Sequence, residues 1–193
     1  MKKTLVGLVT VNNIYGAGVH IKQGTIDHSI IALNTAYMNG GGASDGGGLG
    51  VNIPTGPILV DKCLIYGNLA PSGQGGGIYA HTQNNHYLLT VRNTTIANNQ
   101  ASGTGGGAYV DQFGTTYDFS MANTIFADNL SGAEGADSNL SLPDNATIVS
   151  GYAAQSYNNL FANGTTALGA DSQSIVIQVG RRALRGLRPN TRR

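Results

Sequence analysis

Three charged residues hold matching places in the chain. Asp27, Asp61 and Arg92 each stand two positions before a small residue, Ser29, Cys63 and Thr94. On strands stacked about 5 Å apart, such places become neighbours. The two carboxylates and the guanidinium would then form an outward row in which Arg92 offsets the charge of Asp61. A second pair is His81 and Asp111, each four residues beyond the last glycine of a Gly-Gly-Gly triplet. A histidine beside a carboxylate suits general-base chemistry, and it equally makes an ordinary surface hydrogen bond. A third pair is Tyr79 and Tyr109, two residues beyond the same triplets. Side by side they would form a flat aromatic strip, able to stack on sugar rings or a partner surface, or simply to cover a sheet as a cross-strand pair. His20, His28 and His86 fall at other places in the register, so no metal cluster is expected. Cys63, the one cysteine, excludes an internal disulfide and a cysteine zinc site, and it reads as a packed core residue.

What could align these residues is an internal repeat. Triplets at Gly46-Gly47-Gly48, Gly75-Gly76-Gly77 and Gly105-Gly106-Gly107 are spaced by 29 and 30 residues. Stepping a similar distance outward gives Gly16-Ala17-Gly18 and Gly135-Ala136-Asp137. A second column has the same period: Ser29/Ile31/Asn34, Cys63/Ile65/Asn68, Thr94/Ile96/Asn99, Thr124/Phe126/Asn129 and a fainter Asn158/Leu160/Asn163. Two independent columns sharing one period mark a repeat architecture.

Within each copy apolar residues alternate, as in Val19/Ile21, Leu49/Val51, Ile78/Ala80 and Ala108/Val110 after the glycines, with Ser138/Leu140 as a weaker fifth. Ile58/Val60, Leu89/Val91 and Phe119/Met121 alternate before the small residue. Period two means strands with one buried face. Each copy is expected to hold about three short strands separated by Gly or Asn corners. One 30-residue unit cannot bury its apolar face alone, so the units must stack. The sequence predicts an all-β, single-stranded parallel β-helix, a solenoid with coils of about 30 residues. Interior ladders would run Ile31-Ile65-Ile96-Phe126 and Ile26-Val60-Val91-Met121. The Asn column is expected to supply left-handed corners and stacked amides, the glycines positive φ and close approach of coils. Connections lengthen at one corner, from His81 to Tyr87 and from Asp111 to Tyr117; insertions on one side of a solenoid are commonly its binding side.

Composition agrees. Glycine accounts for 29 of 193 residues, about twice ordinary usage, and charged residues for only 11%, which leaves too few helix formers for a bundle. Residues 1–180 carry five basic and ten acidic residues, a net −5 with no basic stripe, so no nucleic-acid partner is expected. Six arginines, from Arg181 to Arg193, crowd the other end. The solenoid is expected over residues 1–170, as five to six coils of a longer array, with Gly151 to Ala170 as an irregular last coil. Residues 171–193 read as a disordered or non-native tail. Met1-Lys2-Lys3 and the apolar residues to Val11 hint at a leader, but the run is short, and Leu5, Val9 and Val11 fit the first turn of the fold. No apolar run is long enough for a membrane span.

Several segments resemble known repeats. Gly75-Gly76-Gly77-Ile78-Tyr79, Gly105-Gly106-Gly107-Ala108-Tyr109 and Phe126-Ala127-Asp128-Asn129 are similar to the G-G-G-I-Y and F-x-x-N repeats of bacterial right-handed parallel β-helix proteins in the pectin-lyase-like superfamily. The nearest likeness is to surface proteins of the polymorphic-outer-membrane-protein and choice-of-anchor type. Ile31 to Asn34, Ile65 to Asn68 and Ile96 to Asn99 match with Ile for Phe, and Asn34-Thr35-Ala36 matches N-x-A. The likeness spans residues 12–170. It implies a right-handed coil, a place outside the cell or on the outer surface of a bacterium, and a structural or adhesive role toward a glycan or cell-surface partner, for which the register of the repeat offers Tyr79 and Tyr109 as candidate binding residues. The alternative it carries is a polysaccharide lyase or glycoside hydrolase. Relatives that cleave pectate use clustered Asp with calcium and an Arg base, a composition that Asp27, Asp61 and Arg92 share. Outside that alternative no cofactor is expected.

Overall fold

A computed structural model describes residues 3–5, 8–10, 15–37, 44–81, 89–111, 119–132, 135–136, 140–141, 160–162 and 175–177. Among them every regular element is a strand, and the strands stack as a parallel β-solenoid of about three turns with roughly 30-residue spacing. The five to six coils expected over residues 1–170 fall partly on residues outside the described ones. Most of Gly151 to Ala170 and the arginine-rich end lie outside the described residues, as do the long connections at 82–88 and 112–118.

Each full turn contributes to four sheets, where the sequence suggested about three strands. A four-stranded sheet stacks Gly24–Asp27, Ile58–Asp61, Leu89–Arg92 and Phe119–Ala122. A seven-stranded sheet contains Ser29–Ala32, Leu64–Tyr66, Thr95–Ala97 and Ile125–Ala127, with Lys3–Leu5 before them and Leu160–Ala162 and Ile175–Ile177 after. The strand that alternation could not reveal is only two or three residues long: Thr35–Tyr37, Leu69–Ala70, Gln100–Ala101 and Leu130–Ser131, just after each Asn. The fourth sheet contains Val19–Ile21, Leu49–Asn52, Ile78–His81 and Ala108–Asp111.

The register agrees with both predicted ladders. Ile31 pairs with Ile65, Ile65 with Ile96 and Ile96 with Phe126, and all four side chains are buried. Ile26, Val60, Val91 and Met121 form the second ladder. Leu5 joins the first ladder below Ile31, and Val9 pairs with Ala36; Val11 lies outside the described residues. Each buried isoleucine contributes about 2 kcal/mol by leaving water, and no single coil could bury these faces alone.

The Asn column does something other than turn the chain. Asn34, Asn68, Asn99 and Asn129 are buried, and left-handed backbone falls one residue earlier, at Leu33, Gly67, Asn98 and Asp128. The side chains form an amide ladder through the interior. Asn34 Nδ2 donates to Asn68 Oδ1 at 2.9 Å, Asn68 Nδ2 to Asn99 Oδ1 at 2.9 Å and Asn99 Nδ2 to Asn129 Oδ1 at 3.0 Å. In Asn68, Asn99 and Asn129 the amide also reaches the preceding coil, at Ile31 O, Ile65 O and Ile96 O. Buried corner backbone is thereby satisfied without water. The glycine triplets lie against this ladder: a Cβ on Gly77 would meet Gly107 O at 2.5 Å and Asn99 Nδ2 at 2.9 Å.

Beyond Asn129 the sequence register fails. Phe126 pairs with Phe161, so the expected equivalence of Phe126 with Leu160 is off by one. Leu140 pairs with Ala108, two places from the position assigned to it. Gly135–Ala136 folds back antiparallel on Leu130–Ser131 and does not open a fifth coil. Neighbouring apolar residues, Leu160 beside Phe161, offer a ladder two registers of similar hydrophobicity, and only packing chooses between them.

Candidate functional site

Asp27, Asp61 and Arg92 are strand neighbours, as their spacing required. Asp61, however, is 5% exposed and not part of a solvated row. Its Oδ2 accepts from Arg92 Nη2 at 3.1 Å, and Lys62 Nζ lies 3.8 Å from the same oxygen. Its Oδ1 accepts from Asn93 Nδ2 at 2.8 Å. Burial pushes this carboxyl up, but the hydrogen bonds from Asn93 and Arg92 and the charges of Arg92 and Lys62 outweigh it and hold it below the ordinary aspartate value. Asp27 instead pairs with His28, Nδ1 to Oδ1 at 2.7 Å. The three residues therefore meet in register while their charged groups divide into two separate clusters.

The small column has a shared job. Ser29 Oγ, Cys63 Sγ, Thr94 Oγ1 and Thr124 Oγ1 each donate to the carbonyl two residues earlier, at Asp27, Asp61, Arg92 and Ala122. The residue between them, His28, Lys62, Asn93 or Asn123, has positive φ. The hydroxyl or thiol thus clasps a left-handed corner in each coil. Cys63 is buried, and burial pushes its thiol up, which suits a structural rather than a nucleophilic role.

His81 and Asp111 are also strand neighbours; the Asp111 side chain lies outside the described residues, as does His86. His81 stacks on Tyr79 with ring centres 6.4 Å apart and planes 7° from parallel. Elsewhere in the same sheet, burial and the charge of Lys22 depress the pKa of His20.

Tyr79 and Tyr109 are strand neighbours, as their spacing required, and their rings stack with centres 5.8 Å apart and planes 11° from parallel. Tyr15 adds a third ring, 5.7 Å from Tyr79. The strand below Tyr79 supplies Gly50 at the matching place, where a Cβ would collide with the Tyr15 carbonyl carbon. Tyr15 therefore fills the gap that Gly50 leaves. Held between two rings, Tyr79 is 6% exposed. The flat strip expected of the pair is replaced by a column with both faces of Tyr79 covered, so Tyr79 can offer a ligand an edge but no open face.

Beside this column lies a groove of about 470 Å³. Its walls repeat from coil to coil: Ser72, Gly73 and Tyr79 from one, Ser102, Gly103 and Tyr109 from the next, with Gln74 and Asp45 completing it. The turns forming the wall are tied together, Gly103 N–H donating to Gly73 O at 2.8 Å and Ser131 Oγ to Gly103 O at 2.6 Å. Asp45 Oδ1 accepts from Gln74 N–H at 2.8 Å. A groove lined by hydroxyls, an amide, a carboxylate and phenol rings suits a ligand rich in hydroxyl groups. Sequence reasoning found the two tyrosines and missed the wall, although Ser72-Gly73, Ser102-Gly103 and Ser131-Gly132 recur with the period of the repeat.

Among the described residues no group of three His, Cys, Asp or Glu side chains is placed to hold a metal ion, and no helix is long and apolar enough to cross a membrane. Searches against protein-family models, curated proteins and solved structures find no match to this chain.

Proposed function

We propose that this chain is a secreted or surface-displayed bacterial β-solenoid with a structural and adhesive role, and that it holds a glycan in the groove beside Tyr79 and Tyr109. The observation that carries the reading is the groove itself, in which aromatic edges face a wall of serine and glycine turns. Sugars are bound by such combinations of ring contact and hydroxyl hydrogen bonding. The resemblance of the repeats to surface proteins of the pectin-lyase-like superfamily supports the location and the adhesive role. The lyase or hydrolase alternative is less well supported, because both oxygens of Asp61 and the guanidinium of Arg92 are engaged with each other and with Asn93.

The test is binding to an oligosaccharide panel, followed by Tyr109→Ala and Gln74→Ala. Each variant is expected to weaken binding about tenfold, the loss typical of one good contact. Tyr66→Ala, on the outward face of the seven-stranded sheet, is expected to leave it unchanged. A panel with no binder, or equal loss in Tyr66→Ala, overturns the reading.

A further inference from the structure

We infer that two copies of this chain associate in solution through the apolar side of the solenoid. That side comprises the seven-stranded sheet, the sheet of short strands that follows each Asn, and the corner between them. The tyrosine groove plays no part in it, and glycan binding is not required.

Among the described residues six large apolar side chains are exposed, and five of them stand on this one side. Tyr66 and Ile125 belong to the seven-stranded sheet, Tyr37 and Leu130 to the short strands, and Leu33 to the corner. Lys3 is the one charged residue in the described strands of these two sheets, and Asp128 the one charged residue at their corner. The four-stranded sheet, by contrast, carries Asp27, Asp61 and Arg92. An apolar side next to a charged one is the mark of a surface that meets protein.

Leu33 is the least expected member of the patch. Its corner is left-handed in four successive coils, at Leu33, Gly67, Asn98 and Asp128. Gly, Asn and Asp tolerate that backbone, whereas leucine is disfavoured there. Leu33 nonetheless has φ 58° and is 60% exposed. Its side chain leans over Gly67, where a Cβ would meet Leu33 Cδ2 at 2.9 Å. An unfavourable backbone thus holds an apolar side chain in water at a place where the fold alone is better served by Asn. Covering that side chain with a second surface offsets the cost.

Charge, pitch and area point to a second copy as the cover. An uncharged face gives nothing by which to select an acidic or basic partner, and two such faces meet without repulsion. Ile30, Leu64, Thr95 and Ile125 form a row, one residue per coil, with a pitch of about 4.8 Å. The same face of another copy has the same pitch and can mesh with it at every rung. Seven strands extend about 29 Å along the axis, and the path from Ile30 to Tyr37 covers about 23 Å around it. A contact using all of this face takes about 650 Å² from each copy, about 1,300 Å² together, in the lower part of the range for specific complexes. A twofold pair closes on itself, so assembly stops at two.

Sedimentation equilibrium of the full chain from about 1 to about 200 µM tests this, with a dimer expected to dissociate at about 10 µM. Leu33→Asn is expected to weaken the dimer about tenfold, while the urea midpoint of the dilute monomer is unchanged or higher. Tyr66→Lys puts a charge into the face and is expected to weaken the dimer at least about tenfold. Thr25→Lys, exposed on the four-stranded sheet, is expected to leave it unchanged. A chain that stays monomeric, association that continues beyond two, or a dimer indifferent to Leu33→Asn or to a folded Tyr66→Lys overturns the inference. Equal weakening by Thr25→Lys overturns it too. A circular dichroism spectrum shows whether Tyr66→Lys folds, and if it does not, Leu33→Asn decides alone. None of these outcomes bears on glycan binding, which is read separately.

Discussion

At Asp61 a position that alternation places on the outside of a strand is almost closed to water, because Arg92, Asn93 and Lys62 cover the carboxylate. Its pKa is depressed in the folded chain, so the folded state favours the ionised form. The stability this contributes is complete above the ordinary aspartate pKa and disappears as pH falls through the depressed folded value. Asp61→Asn is therefore expected to lower the stability obtained from urea titration at pH 7 by about 1–2 kcal/mol, and the difference from the parent chain should shrink from about pH 4 downward. Urea titrations of both chains across that range check it. The stacking of Asp27, Asp61 and Arg92 was legible from spacing alone. Their partners were not, because Asn93 and His28 reach them from left-handed corner positions whose side-chain directions no linear pattern encodes. Tyr15 escaped for a similar reason: it lies outside the tyrosine column in sequence and enters it in space because Gly50 has no side chain.

The amide ladder is what the corner elements share. Asn99 receives the backbone and side-chain N–H groups of Asn68, and it donates to Ile65 O and Asn129 Oδ1. Asn99→Ala would leave these partners unsatisfied in the interior, so a loss of about 3 kcal/mol is expected. Asn98→Ala, next door and exposed, sacrifices only left-handed preference and is expected to cost about 1 kcal/mol. Denaturant midpoints of the two variants distinguish the ladder from the corner. The ladders and the period were readable because identical or similar side chains recur at each rung. Left-handed backbone was assigned to the wrong asparagines, since at Asn98-Asn99 and Asp128-Asn129 either residue type tolerates it. Two-residue strands such as Leu69–Ala70 are too short to alternate, so a fourth sheet left no signal.

For the molecule as a whole, each coil touches chiefly the coils on either side of it, and stability is then a sum over adjacent pairs rather than a property of one central core. Amide hydrogen exchange is expected to be slowest in Leu64–Tyr66 and Thr95–Ala97, which have paired strands on both sides, and faster in Val19–Ile21 and Gly24–Asp27, which begin their sheets among the described residues. Mass-spectrometric exchange on short peptides measures that gradient. The interval between successive rungs of one ladder also varies: Ile31, Ile65, Ile96 and Phe126 remain vertically aligned although the first interval is longer than the others. The pairing resumes unshifted after the longer interval. A gene encoding such a chain can therefore gain or lose a whole winding by unequal recombination, changing the reach of the protein while every remaining rung keeps its neighbours.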